Sequence, residues 1–336
     1  MRQIALIFVS ALCLGLVWAS LTLAQTPPPT AASPKPAAPN QGAPNPAASD
    51  PAPPPTNYDQ VAQAMLYLRQ EAEKGNPDYM LQLGRQYETG AFLTRDYSQA
   101  LDWYKKAAAK GLGLAYYQVG MAYLVGLGDA PNIKLALDNL RQASNKGVPM
   151  ADFQLAIFSL RGQNLPQNIP EGLKYLTKAA TAGLPVAINQ LGVIHYNGLW
   201  GQKINKTLAL DYFTKAAEIG FPEAMRNAGS CYYVGDGQAK NDVLALKWLT
   251  LARDSGLTPG VLEPIIQAVR ADMKPAQIAQ AEKDIQAWKD RATAQARNET
   301  LAPGSGDQKA KVKPAAKPAA KPAAKPVAKP KRNRRR

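Results

Sequence analysis

Apolar and small residues recur at three- and four-residue steps along most of this chain, and the pattern restarts at a fixed interval. Glycines at 75, 111, 147, 183, 220 and 256 are separated by 36, 36, 36, 37 and 36 residues. Such a period means stacked supersecondary units, none of which buries its apolar face alone. Within each interval the spacing predicts two helices. The first begins near Pro77, Pro149, Pro185 or Pro222, two residues beyond the marker glycine, where proline is preorganised for a first helical turn. It carries Gly-x-x-Tyr-x-x-Gly or a variant: Gly84, Tyr87, Gly90; Gly120, Tyr123, Gly126; Gly192, His195, Gly198; Gly229, Tyr232, Gly235; the third unit departs, with Ala156, Ser159, Gly162. A small residue in mid-helix admits a neighbouring helix, and the last glycine suits a left-handed stop.

The second helix follows Asp96, Asn132, Asn168, Asn205 or Asn241, residue types whose side chains cap free backbone amides. It reads Ala100-x-x-Trp103-Tyr104-x-Lys106-Ala107-Ala108 before Gly111, and Gly172, Tyr175, Leu176, Lys178, Ala179 before Gly183 repeat it. Ala209, Tyr212, Phe213, Lys215 and Ala216 do so before Gly220, and Ala245, Trp248, Leu249 and Ala252 give a fainter copy before Gly256. Small residues and aromatics at these steps make one apolar face.

These paired helices resemble the Sel1-like repeats, relatives of the tetratricopeptide repeats with a longer period. The resemblance covers five units from about Asn76 to Ser255, and Ala64, Tyr67, Leu68, Ala72 and Gly75 match a second helix alone, as a leading half unit. It implies an all-α, right-handed superhelical solenoid of helix-turn-helix repeats over residues 57–256. Beyond it, Val261–Met273 and Pro275–Ala296 read as helices, the latter with Ile278, Ala281, Ile285 and Trp288 on one face, and residues 257–298 are expected to cap the array.

Both ends differ in composition. Met1 and Arg2 precede an apolar run from Ile4 to Trp18, and Thr22-Leu23-Ala24 places small residues where a signal peptidase reads. Residues 1–24 are therefore expected to be a cleaved signal peptide, with an uncleaved anchor as the alternative; the expected location is the periplasm or, failing that, outside the cell. Leu12 stands where a small residue should precede a lipidated Cys13, which sets a lipoprotein aside. Twelve of the thirty-one residues from Thr26 to Thr56 are proline, so residues 25–56 are expected to be a disordered linker. Removing the signal leaves Cys231 as the sole cysteine of the mature chain, read as a core filler without a disulfide partner.

The net charge of +15 is concentrated in the tail. From Lys309 to Arg336 there are eight Lys, four Arg and no acid, which leaves +3 on residues 1–308. Lys-Pro recurs at Lys313, Lys317, Lys321, Lys325 and Lys329, and Arg334, Arg335 and Arg336 close the chain. Residues 299–336 are expected to be a disordered basic segment that seeks polyanions in a diffuse, salt-sensitive way. For an exported chain these are phospholipid head groups, lipopolysaccharide, wall carboxylates or an acidic protein rather than nucleic acid; a solubilising role is the plainer alternative. Cleavage of the signal leaves no transmembrane span.

Little in the sequence points to catalysis. His195, the sole histidine, occupies a position that other units fill with tyrosine, and no cofactor or metal site is expected because no second His or Cys is available to share an ion. One branch of the resembling family, with cysteine pairs in its units, is associated with binding and slow hydrolysis of penicillins; those pairs are missing here. A column of amides is the stronger clue. Gln82, Gln118, Gln154, Gln190 and Asn227 each stand seven residues after a marker glycine, and stacking would align them, either to pair with the backbone of an extended partner or to hold neighbouring helices together. Arg85 and Arg226 lie near the column. Trp200, in the loop holding the extra residue of the one 37-residue step, is either tucked under a neighbour or an exposed anchor. The resemblance implies a protein-protein interaction module, adaptor or regulator, periplasmic inhibitors of sensor kinases among them. The alternatives are a cell-wall or membrane-surface protein anchored by its tail and a weak hydrolase of β-lactam or wall-like substrates.

Overall fold

A computed structural model describes residues 57–162, 165–257 and 259–301. The expected signal peptide (1–24), the expected linker (25–56) and residues 302–336 of the expected tail, with its cations at Lys313, Lys317, Lys321, Lys325, Lys329, Arg334, Arg335 and Arg336, lie outside the described residues. Among the described residues thirteen α-helices follow one another: α1 (Asn57–Glu73), α2 (Pro77–Thr89), α3 (Tyr97–Ala109), α4 (Gly113–Val125), α5 (Ile133–Asn145), α6 (Pro149–Arg161), α7 (Ile169–Thr181), α8 (Pro185–Asn197), α9 (Lys206–Glu218), α10 (Pro222–Val234), α11 (Asp242–Asp254), α12 (Pro259–Ala271) and α13 (Pro275–Leu301). Helices α2 to α11 form five pairs; each pair is an intimate unit, and each second helix also packs on the first helix of the next unit.

One local device is repeated in every unit. The first helix ends at Gly90, Gly126, Gly162, Gly198 or Gly235, all with φ between 66° and 81°, a left-handed conformation that costs other residues about 1 kcal/mol or more. The chain then turns so that the amide of Asp96, Asn132, Asn168, Asn205 or Asn241 donates to the carbonyl of Tyr87, Tyr123, Ser159, His195 or Tyr232. Each of these five Asp or Asn side chains accepts from the backbone amide three residues on. The signature residue three after the small one is thus where two helices are tied through the backbone, which explains why serine or histidine serves there as well as tyrosine.

Close packing explains the small residues. A Cβ at Gly84 would stand 2.5 Å from the Tyr104 ring, and one at Gly192 would stand 2.6 Å from Phe213. The third unit meets the same need with its glycine on the other helix: Ala156 replaces the glycine of α6, and Gly172 of α7 leaves room for Leu160, which a Cβ would meet at 2.6 Å.

The ends are built differently. Helices α12 and α13 both pack on α11, and Leu262, Ile266, Ala281 and Ile285 join its core. Helix α13 runs back over the fourth unit, with Trp288 beside Gly220, Lys289 on Asp254 and Arg291 3.7 Å from Glu218. At the other end α1 has no first helix of its own. Ala64 is exposed where Ala100, Ala136, Ala209 and Ala245 are buried, and Tyr67, 55% exposed, meets Tyr79 edge to face.

Candidate functional site

Helix α4 differs from α2, α6 and α10 in that its thirteen residues, Gly113 to Val125, include no charge; α8 also lacks Asp, Glu, Lys and Arg but ends its equivalent face at Asn197, where α4 has Val125. A helix apolar on every side belongs in an interior, yet this one leaves Leu114 43% and Val125 53% exposed. Steps of four, three and four residues carry one face through Leu114, Gln118, Met121 and Val125, with Gln118 and Met121 half-buried. The equivalent face of α2 is polar, with Asp78, Gln82, Arg85 and Thr89, and that of α10 begins at Glu223.

Beside this face, α2, α3 and α4 enclose a cavity of about 240 Å³, room for one large side chain. Its wall includes Glu88, Tyr97, Tyr104, Tyr117, Gln118 and Val125. The Tyr104 hydroxyl donates to the Glu88 carboxylate at 2.5 Å. Burial, and then that carboxylate, push the Tyr104 phenol far above its ordinary range, while Arg85 pulls the other way. Burial also raises Tyr117, and the Gln154 amide, bonded to the phenol, offsets part of this. Both rings therefore present neutral hydroxyls at physiological pH.

The amide column is divided by environment. Gln82 is exposed, Gln118, Gln154 and Gln190 are half-buried, and Asn227 is buried. Gln154 reaches back one unit to Tyr117, and Asn227 reaches back one unit to Asn189, its Nδ2 donating to the Asn189 Oδ1 at 3.0 Å. The buried Arg226 donates to the Asn227 oxygen. Arg226 and Asn227 thus face the fold, whereas Gln118 and Arg85 lie at or beside the cavity. Trp200 adopts φ 53°, ψ 40° and packs, half-buried, on the core of the third and fourth units. His195 stacks on Tyr212 with rings 6° from parallel and centroids 5.8 Å apart. Cys231 is buried. Among the described residues no group of three or more His, Cys, Asp or Glu is placed to hold a metal ion, and no helix is long and apolar enough to cross a membrane.

A second polar cluster lies where the second unit meets the third. Ser144 at the end of α5 donates to the buried Asp152 of α6, and Lys178 of α7 donates to both side chains and to the Ser144 carbonyl at 2.8–2.9 Å. It ties three helices together.

The model of the family described as "Sel1 repeat" matches residues 77–112, 113–148, 149–184, 185–221 and 222–257, each match beginning at or next to a first helix. The chain belongs to the Sel1 repeat family. Among solved structures, a Sel1 repeat protein from Oxalobacter formigenes is similar at 24% identity with a TM-score of 0.59, over 62% of this chain and 60% of that one. This Sel1 repeat chain therefore spans less than two thirds of that relative's length. A putative Sel1 repeat protein from Klebsiella pneumoniae is 23% identical over 61% of this chain and 98% of that one, with a TM-score of 0.40. An immunity protein from Pseudomonas aeruginosa is 22% identical over 64% and 80% of the respective chains, also with a TM-score of 0.40. No curated protein is matched.

Glu88, Tyr97, Tyr104, Tyr117, Leu114, Met121 and Val125 escape a reading of the sequence that follows only the amide column. The signal in the sequence is compositional: α4 is a first helix without a charge whose face keeps apolar residues at both ends, Leu114 and Val125.

Proposed function

We propose that this chain is a protein-binding scaffold whose partner docks on the open face of α4 and the cavity beside it. The observation that carries this reading is the uncharged helix with Leu114 and Val125 in solvent. Exposed Leu114 and Val125 bracket the half-buried Tyr117 and Met121, and apolar, Tyr and Met side chains are the composition of interface centres. Membership of a repeat family whose members act as adaptors supports the same reading, as does the division of the amide column, which leaves Gln118 beside the cavity. The proposal assigns the chain no catalytic role. It also places the scaffold in the cell envelope, on the strength of the charge and apolar pattern of residues 1–24. A second reading, supported by the twelve cations of residues 309–336, has the tail hold the protein to anionic envelope components while the array recruits.

The test is photo-crosslinking in cells from Gln118 and, as a control on another unit, from Lys203, followed by mass spectrometry. A protein captured at Gln118 but not at Lys203, and lost with Leu114→Glu plus Val125→Glu, is the expected result. The same capture at both positions, or capture indifferent to the two substitutions, removes α4 as the docking face.

A further inference from the structure

We propose that the cavity between α2, α3 and α4 receives a lysine side chain from the chain's own Lys-Pro segment, residues 313–330, docking within the same molecule. Three observations converge on this. The first is charge. Glu88 is the one carboxylate in the cavity wall, its wall includes no Lys or Arg, and among the described residues Glu88 forms a hydrogen bond to a phenol but no ion pair. Several acids elsewhere on the array are already engaged: Asp236 by Lys206, Asp254 by Lys289 and Arg253, Glu263 by Arg253. A carboxylate among the rings of Tyr97, Tyr104 and Tyr117 is an environment for an ammonium group, which ring faces and carboxylate attract together. Arg85, outside the wall, is the opposing charge, and it leaves the Tyr104–Glu88 bond intact.

The second observation is shape and composition. A cavity of about 240 Å³ fits a single long side chain. On either side of it Tyr97 and Val125, 37% and 53% exposed, offer apolar rests for residues flanking that side chain. In the tail, each lysine of the Lys-Pro series is followed by proline, and the residues around it are otherwise almost all alanine. Five equivalent lysines compete for one cavity, which raises the effective concentration of the ligand about fivefold over a single copy.

The third is reach. Helix α13 runs back over the fourth unit as far as Glu218, so the chain leaves the described structure heading toward the earlier units. Layers of packed helices lie about 10 Å apart, which puts the cavity between the first and second units on the order of 30 Å away. Lys317 to Lys329 follow Leu301 by 16 to 28 residues, and a chain spans up to about 3.3 Å per residue. Each of these lysines can reach.

The docking does not depend on the partner proposed above, and the two have separate readouts. The experiment uses the full chain with Ala320→p-benzoylphenylalanine, irradiated as an equal mixture of light and heavy-isotope protein and mapped by mass spectrometry. Crosslinks within single chains to Tyr97, Met121 or Val125 are expected. They should fall about tenfold with Glu88→Gln, and as far when Lys313, Lys317, Lys321, Lys325 and Lys329 are all changed to Gln. Val125→Lys, which sets a like charge at the rim without touching the Tyr104–Glu88 bond, should also reduce them, and Glu223→Gln on α10 should not. Crosslinks scattered over other units, crosslinks only between light and heavy chains, or a yield indifferent to both Glu88→Gln and Val125→Lys would overturn the proposal. Crosslinking of an external protein to Gln118 in the five-lysine variant reads out the partner separately.

Discussion

Lys178 reaches from α7 to place its Nζ 2.8 Å from Oδ1 of Asp152, a carboxylate only 2% exposed on α6. Most equivalent positions elsewhere are apolar: Met80, Ile188 and Met225 in place of Asp152, and Ala108 and Ala217 in place of Ser144; Tyr116 and Arg253 are the departures. The junction of the second and third units has thus exchanged a stretch of core for a bonded charge, and removing the lysine alone should cost more than replacing its two side-chain partners together. Lys178→Ala is expected to lower stability by about 2–3 kcal/mol, less than a fully buried pair would lose because the lysine is half in water. Ser144→Ala with Asp152→Met should leave stability within about 1 kcal/mol of the parent. Urea unfolding midpoints of the two proteins decide it: equal losses would mean that the charge pair is not what holds these helices.

Gly172 stands where a Cβ would meet Leu160 at 2.6 Å and its backbone nitrogen at 3.0 Å. Because backbone cannot move aside cheaply, Gly172→Ala should destabilise by about 1–2 kcal/mol, although alanine is the better helix former. Gly147→Ala meets no atom within 4 Å but forces alanine to φ +79°, at a cost of about 1 kcal/mol from the backbone alone. Thermal unfolding compares them, and an undiminished midpoint for Gly172→Ala would contradict the packing argument.

Leu114 and Val125 contribute little to the core, so Leu114→Lys with Val125→Lys should shift stability by no more than about 0.5 kcal/mol. Partner capture should nevertheless disappear. A large loss of stability would instead identify these two side chains as structural.

The docking of α13 is expected to weaken in acid. At Asp254 burial opposes the charge, but bonds from Lys289 and Arg253 outweigh it and hold the carboxyl below its ordinary 3.8. Glu263 is held below 4.5 by bonds from Gln267 and Arg253. A depressed folded pKa gives stability that is fully present above the unfolded value and is lost as pH falls through the folded one. Protection of the amides in residues 275–296, that is exchange corrected for its intrinsic pH dependence, should therefore fall below about pH 4. Asp254→Asn should flatten that change while lowering protection at neutral pH, and α13 protection that stays constant between pH 5 and 2, about the range in which carboxylates titrate, would refute the linkage.

The period, the paired helices, the asparagine caps and the left-handed glycine stops are all legible in the sequence, because each is a local requirement repeated in register. The cavity is not, because it is made by residues of three helices, and Glu88, Tyr104 and Tyr117 are individually ordinary. The Ser144–Asp152–Lys178 cluster is hidden for the same reason: 34 residues separate its ends, and only stacking brings them together. The amide column was legible as a column but not in what each member does. Position seven of one unit faces position six of the unit before, and that neighbour varies: Tyr117 and Asn189 can hydrogen-bond to it, whereas Leu81 and Phe153 offer no hydroxyl or amide. Two amides are thereby drawn into the fold.

The two ends of the array also differ in what they permit. The C-terminal end is closed, since α12 and α13 occupy the surface of α11 on which another unit would stack. The N-terminal end keeps Ala64 and Tyr67 of α1 uncovered. A stack of copies grows only when unlike ends can meet, and here one of them is sealed. Among the described residues, stacking of copies along the array is therefore left only to like ends meeting through Tyr67, an arrangement complete at two molecules.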